Sequence, residues 1–244
     1  MQRIRAVLAV VVSATALVGG PTATPAHADN PTVYRVTIRN LTVGQALTPP
    51  VIATHRRPGD GFSVGAPASV GVKEIAENGN LGPMLDALAS DSHVFDVETG
   101  SAPVVPSGRV AATGFSDSVT LTITADRGAK YLSWVSMLIC TNDGFTGLDG
   151  VRLPGKLGET TVLHTNGYDA GTEINTEDFA DIVPPCPPLS GVPSSEPGTG
   201  ASNPALAEGG VIHHHPGIVG VADLQPAVHG WTDPVAVVEI TALN

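Results

Sequence analysis

The sequence has 244 residues, 42% hydrophobic, 14% charged and 4% aromatic, with 28 Gly, 21 Pro and a net charge of −11 from 12 basic and 23 acidic residues. This density of Gly and Pro excludes a coiled coil or helical bundle, because Pro removes a helix donor and Gly costs chain entropy, and the apolar fraction is too high for a disordered chain. The acidic balance disfavours a nucleic-acid partner, since phosphate binding needs a basic face.

Residues 1–28 read as a secretory signal. Arg3 and Arg5 precede an apolar run over 6–18, and Ala26-His27-Ala28 offers an A-x-A cleavage site. The run is shorter than the roughly 20 residues a membrane span needs, so the expectation is a secreted protein with no membrane span after cleavage. That leaves 10 basic and 23 acidic residues, a net −13, in a single domain over 29–244. Cys140 and Cys186 are the only cysteines. In an oxidising compartment a disulfide between them is the default, against the alternative of two buried free thiols.

Residues 32–42 alternate, with Tyr34, Val36, Ile38 and Asn40 on one face, which predicts the first strand. A second strand, 51–55, stops at a Pro-Gly-Asp-Gly turn. Val72, Ile75 and Ala76 keep helical spacing, and Pro83 opens a second short helix over 83–88. Strand signals return at 93–97, 109–112, 119–125, 132–140, 151–153 and 160–164, punctuated by turns at 107–108, 126–128 and 142–144. The stretch 184–210 is rich in Pro, Ser and Gly and reads as a long surface loop that Cys186 pins. A last strand, 235–243, is apolar enough to be central in its sheet. Many short strands with the helices segregated predict an all-β antiparallel sandwich with one or two short inserted helices.

Oxygen donors are densest in two turns, Thr141-Asn142-Asp143-Gly144-Phe145-Thr146-Gly147-Leu148-Asp149 and Tyr168-Asp169-Ala170-Gly171-Thr172-Glu173. Carboxylates on turns that meet at one end of a sandwich can serve a hard cation such as calcium, which takes six to eight oxygens. Asn-Asp-Gly is equally ordinary turn chemistry, and spacing alone leaves both readings standing. His213-His214-His215 offers imidazoles for zinc or copper. Successive residues on a strand face opposite ways, however, so the three do not readily converge, and a structural role is the better reading. His229 reads as packing beside the last strand. No Gly-x-Ser-x-Gly elbow, His-Glu-x-x-His or phosphate-cradling Gly loop is present. A Ser, His and Asp assembled in space would escape such a search, since these sites are defined by geometry and not by order.

Residues 142–149 resemble the Ser-Pro-Asp-Trp-Phe-x-Gly-x-Asp turn of the spondin domain family, and Tyr168-Asp169-Ala170-Gly171-Thr172-Glu173 resembles its Tyr-Asp-Ala-Gly-Thr-Asp. Residues 33–42 with the following Pro-Pro-Val-Ile-Ala-Thr-His are similar to the opening strands of that family's secreted bacterial branch. The resemblance covers nearly the whole chain after residue 28. It implies an eight-stranded, C2-like sandwich with one calcium where the two turns meet. Asp143, Asp169 and Glu173 would be carboxylate ligands, and Asp149 would position the first loop or ligate weakly. Animal members add a Glu from the strand before the first turn, whereas Leu121-Thr122-Ile123-Thr124 here carries no carboxylate, which lowers the charge of the site. The function implied is a secreted, non-enzymatic binding or adhesion module acting on an extracellular protein or surface glycan. A metal-assisted extracellular hydrolase and a cell-wall structural protein without a specific metal are the alternatives.

Overall fold

The computed structural model describes residues 30–57 and 61–244; the expected signal segment, residues 1–28, lies outside them. Among the described residues, ten strands form two antiparallel sheets. In the four-stranded sheet the order is β4 (Ser118–Ala125), β1 (Thr32–Asn40), β10 (Ala236–Ala242), β7 (Thr160–Thr165). In the six-stranded sheet it is β3 (Val94–Thr99), β2 (Val51–His55), β5 (Tyr131–Met137), β6 (Gly144–Arg152), β8 (Gly167–Asp169), β9 (His213–His214).

The period-two pattern of β1 does what alternation dictates: Tyr34, Val36, Ile38 and Asn40 are buried, while Arg35 and Arg39 face solvent. Ile240 of β10 and Leu121 of β4 flank Val36 in register. As its sequence predicts, β10 is central, between β1 and β7. These inward residues pack with Ile52, Leu132, Trp134 and Leu138 of the six-stranded sheet and its margin to form the core between the sheets.

The six-stranded sheet is buried on its other face too, which is why every residue of β2 is buried. That second core places Val51, Val135, Met137 and Phe145 against Val72, Ile75 and Ala76 of α1 (Val70–Asn78) and Met84 of α2 (Gly82–Ser90). The two inserted helices are thus the outer layer of one side of the sandwich. The Ser69 hydroxyl caps α1 by accepting from the Val72 amide at 3.2 Å, and Gly79, in the left-handed region, ends it. Among the described residues, no helix is long and apolar enough to cross a membrane.

Four sequence expectations are corrected. Residues 109–112 are not a strand: Ser107–Arg109 form a 3-10 turn that runs into the short helix α3 (Val110–Thr113). Gly114 closes this helix, and the Arg109 guanidinium is tied to the Leu189 carbonyl at 2.9 Å, so the local Pro-to-Gly punctuation outweighs strand propensity. The strand expected at 151–153 begins at Gly144, inside the turn motif itself, and β5 ends at Met137, not at residue 140. Ten strands stand where the resemblance implied eight, because the short β8 and β9 extend the six-stranded sheet.

The Pro-rich stretch carries one short helix, α4 (Cys186–Ser190), and a 3-10 turn at Pro204–Leu206. Cys186 at the start of α4 is disulfide-bonded to Cys140, with the Cα atoms 5.0 Å apart. This bond fastens the long loop to the chain end that leads into Asp143.

Candidate metal centre

The segment between β5 and β6 is shaped by Thr141. Its hydroxyl donates to the Leu138 carbonyl at 2.6 Å and accepts from the Gly144 amide at 2.8 Å. A Cβ at position 144 would come within 2.5 Å of that hydroxyl oxygen, so only glycine fits where β6 starts. β6 then pairs with β8 so that Gly144 lies opposite Asp169, and the Ala170 amide donates to the Asp143 carbonyl at 3.1 Å. Two turns 26 positions apart in the chain are thereby brought side by side, as the sequence argument required.

Asp143 and Asp169 are both fully buried. Asp143 Oδ2 accepts from the amides of Thr172 at 2.7 Å and Glu173 at 3.1 Å and from the Thr172 hydroxyl at 3.2 Å. Its Oδ1 is buried with no hydrogen-bond partner. Asp169 Oδ1 accepts from the Gly171 amide at 2.8 Å, and its Oδ2 accepts from the Asn175 side-chain amide at 2.7 Å. Burial, and then the charge of Asp169, push the Asp143 carboxyl up to about 7, against the lowering effect of the Thr172 and Glu173 amides.

The Glu173 side chain points elsewhere. Its backbone amide serves Asp143, but its Oε1 accepts from the Asn203 amide at 3.3 Å, in the long loop. Burial raises it to about 7, with the carboxylates of Glu77, Asp143 and Asp181 adding to the rise. Glu77, in the last turn of α1, is itself buried, with Oε2 unpartnered and Oε1 3.7 Å from the Lys73 ammonium. Glu173 is therefore flanked by two carboxylates, Asp143 and Glu77, that each hold an orphaned buried oxygen.

Among the described residues, no Lys or Arg forms an ion pair with Asp143, Asp169 or Glu173, and the basic group that reaches ion-pair distance is His213, whose Nδ1 lies 3.8 Å from Asp169 Oδ1. Its Nδ1 also bonds the Val211 carbonyl at 3.0 Å, and that bond first, then the nearby carboxylates, raises its pKa despite a lowering from burial. The other two imidazoles go elsewhere: His214 packs on the Tyr168 ring at 5.2 Å and His215 on Trp231 at 4.9 Å. Burial lowers His215 to about 4. His229 is buried against Phe179 at 5.8 Å, as packing.

The structure thus brings Asp143 and Asp169 together, with Glu173 on the flank. It does not bring Asp149 to this end. Asp149 is six residues along β6, where its Oδ1 accepts from the Gly61 amide at 2.8 Å and lies 3.4 Å from the Ser133 hydroxyl. Nor do three carboxylates converge on one point. Among the described residues, the one trio of His, Cys, Asp or Glu donors within 4.8 Å of one another is Cys140, Cys186 and His229, whose two sulfurs are bonded to each other.

The donor chemistry suits a hard cation: two buried carboxylates, one of them with an orphaned oxygen, while Asn175 gives its NH2 to Asp169 Oδ2 and so steadies that carboxylate without offering a ligand atom. Asp143 and Asp169 would hold such an ion, and carbonyls and water would complete the shell. Glu77 and Asn175 escaped sequence reasoning, and His213, noted there with its two neighbours as a possible zinc or copper ligand, was not expected beside Asp169. Asn175 stands two residues after a predicted ligand, which is a readable signal, whereas Glu77 reaches the region only through the packing of α1 on the six-stranded sheet. No protein-family model matches the chain, and no curated protein matches it.

Proposed function

We propose that the protein is a secreted binding or adhesion module of the spondin type, in which one calcium ion bound at Asp143 and Asp169 organises the loop end of the sandwich. The observation that carries this reading is Asp143 Oδ1: an unpartnered oxygen of a fully buried carboxylate, beside a second buried carboxylate, with no Lys or Arg ion-paired to either among the described residues. A buried charge in that position is costly unless a cation or proton offsets it. Bound calcium would remove the repulsion between the turn of residues 141–143 and that of 170–173 and fix them against each other. The face so fixed would meet an extracellular protein or surface glycan.

The site's charge is modest, since Glu173 faces Asn203 and the strand stretch 121–124 supplies no carboxylate. Affinity follows ligand charge and rigidity, so the reading implies a calcium affinity suited to extracellular concentrations. A thermal melt in calcium against one in chelator tests it. Calcium raises the midpoint through binding to the folded state alone, and Asp169→Asn abolishes the difference. Equal midpoints for the unaltered protein would refute the site.

A further inference from the structure

At the opposite end of β5 from the metal centre, between α2 and the six-stranded sheet, lies a cavity of about 180 Å³. Met84 and Leu88 of α2 wall it, Ala53, His55 and Ser133 of the sheet face into it, and Arg57 lies on its lining. A narrower apolar recess of about 30 Å³ continues from it against Val51 and Val135.

Within this cavity His55 Nε2 lies 2.9 Å from the Ser133 hydroxyl oxygen. His55 Nδ1 lies 2.6 Å from the Arg57 backbone carbonyl, which can only accept. The Nδ1 therefore carries the proton of the neutral ring, and Nε2 is left to accept from the Ser133 hydroxyl; that hydroxyl has two acceptors in reach, Nε2 at 2.9 Å and Asp149 Oδ1 at 3.4 Å, and the contact to the imidazole is the shorter. That is the tautomer a general base needs.

The oxygen is held in place. The Gly150 amide donates to it at 2.8 Å, at a bulge where Asp149 and Gly150 of β6 lie between the partners of Leu132 and Trp134. Such bulges re-aim a side chain out of the regular ladder. His55 ends β2, is almost fully buried and stacks on Tyr131, so the pair is fixed from both sides. A hydroxyl bonded to a correctly protonated imidazole, whose other nitrogen is anchored by a third group, is the arrangement of an activated serine.

We propose that Ser133 is a nucleophile for acyl transfer from small, uncharged carboxylic esters, with His55 as its general base. Ser133 Oγ attacks the ester carbonyl as its proton passes to His55 Nε2. The tetrahedral adduct then expels the alcohol, which takes that proton, and leaves an acyl-serine. Water, deprotonated by His55, attacks the acyl-serine and releases the carboxylic acid and the serine hydroxyl. The cavity of about 180 Å³ holds about six waters' worth of volume at ~30 Å³ each, which suits an acetyl to butyryl group beside Met84 and Leu88. The activity adds to the calcium-organised module and shares no residue with its metal centre.

The full secreted chain is incubated with a biotinylated fluorophosphonate and, separately, with p-nitrophenyl acetate and butyrate. The result expected is one label per chain at Ser133 by peptide mass spectrometry. Ester hydrolysis should fall to the buffer rate in Ser133→Ala and by about 100-fold or more in His55→Asn. Absence of label from Ser133 in the unaltered protein would overturn the proposal without any variant, as would hydrolysis that Ser133→Ala leaves unchanged. A failed esterase with an intact calcium-dependent melt separates this inference from the metal reading.

Discussion

Asp143 and Asp169 stand on either side of the first rung between β6 and β8: Gly144, next to one, lies opposite the other, and the Ala170 amide bonds the Asp143 carbonyl at 3.1 Å. Backbone pairing therefore forces together two acids that electrostatics would separate. Asp143 has one oxygen satisfied three times over and the other not at all, an imbalance that the following expectations exploit.

Asp143→Asn removes the buried charge while keeping an oxygen that can accept from Thr172 and Glu173. In chelator at pH 8 the variant should be more stable than the unaltered protein by roughly 1–2 kcal/mol, a rise of about 2–8 °C in melting temperature. Its melt should not respond to calcium. Paired scanning calorimetry of the two proteins, with and without the ion, measures both effects.

The pH dependence of the chelated protein has a definite sign. Asp143 and Glu173 are each raised to about 7 in the folded state, whereas in the unfolded chain they ionise near about 4. Between those values the folded protein holds more protons than the unfolded one, so the stability these groups contribute is full below about pH 4 and is lost as pH rises through about 7. Urea unfolding in chelator should therefore show their contribution falling from pH 5 to pH 8. Asp143→Asn combined with Glu173→Gln should flatten that fall, and the stabilisation by calcium should grow over the same interval because the ion competes with protons.

Removing the Cys140–Cys186 bond with a double alanine variant should cost about 4 kcal/mol on the chain-entropy account, given the 46-residue separation. Because Cys140 leads directly into Thr141 and Asp143, the same variant should also weaken the calcium response. Denaturant midpoints with and without calcium separate the two losses.

Gly171 has a φ of +67°, and a Cβ there would lie 2.6 Å from the backbone of Val211. Its amide also bonds Asp169 Oδ1. Gly171→Ala should therefore destabilise the fold by roughly 1–3 kcal/mol and reduce calcium binding with it, a joint loss that a surface change such as Ser195→Ala should not produce.

Much of this architecture is legible in sequence where one physical rule dominates. Alternation in β1 assigns Tyr34, Val36 and Ile38 to the core, and Pro83 marks the start of α2. The donor content of the two acidic turns left a shared site and ordinary turn chemistry both open, and it is the pairing of β6 with β8 that brings them side by side. What escaped depends either on local boundaries that override composition or on partners distant in the chain. Residues 109–112 have strand composition but follow the local Pro106 and Gly114 boundaries. Glu173 and Glu77 share an environment only because α1 packs on the sheet. Asp149 looked like part of the first turn, yet β6 starts at Gly144 and carries it to the opposite end, beside Ser133 and Gly61. Pairing of Ser133 with His55 depends on the β2–β5 register, in which Ala53 faces Ser133 and His55 faces Tyr131, and no linear motif encodes that register.

Isothermal titration of the metal-free protein with calcium at pH 8 tests the central claim most directly. The account predicts saturable binding of one ion per chain, absent in Asp143→Asn and in Asp169→Asn. No saturable heat up to millimolar calcium, or binding that survives both substitutions, would contradict it.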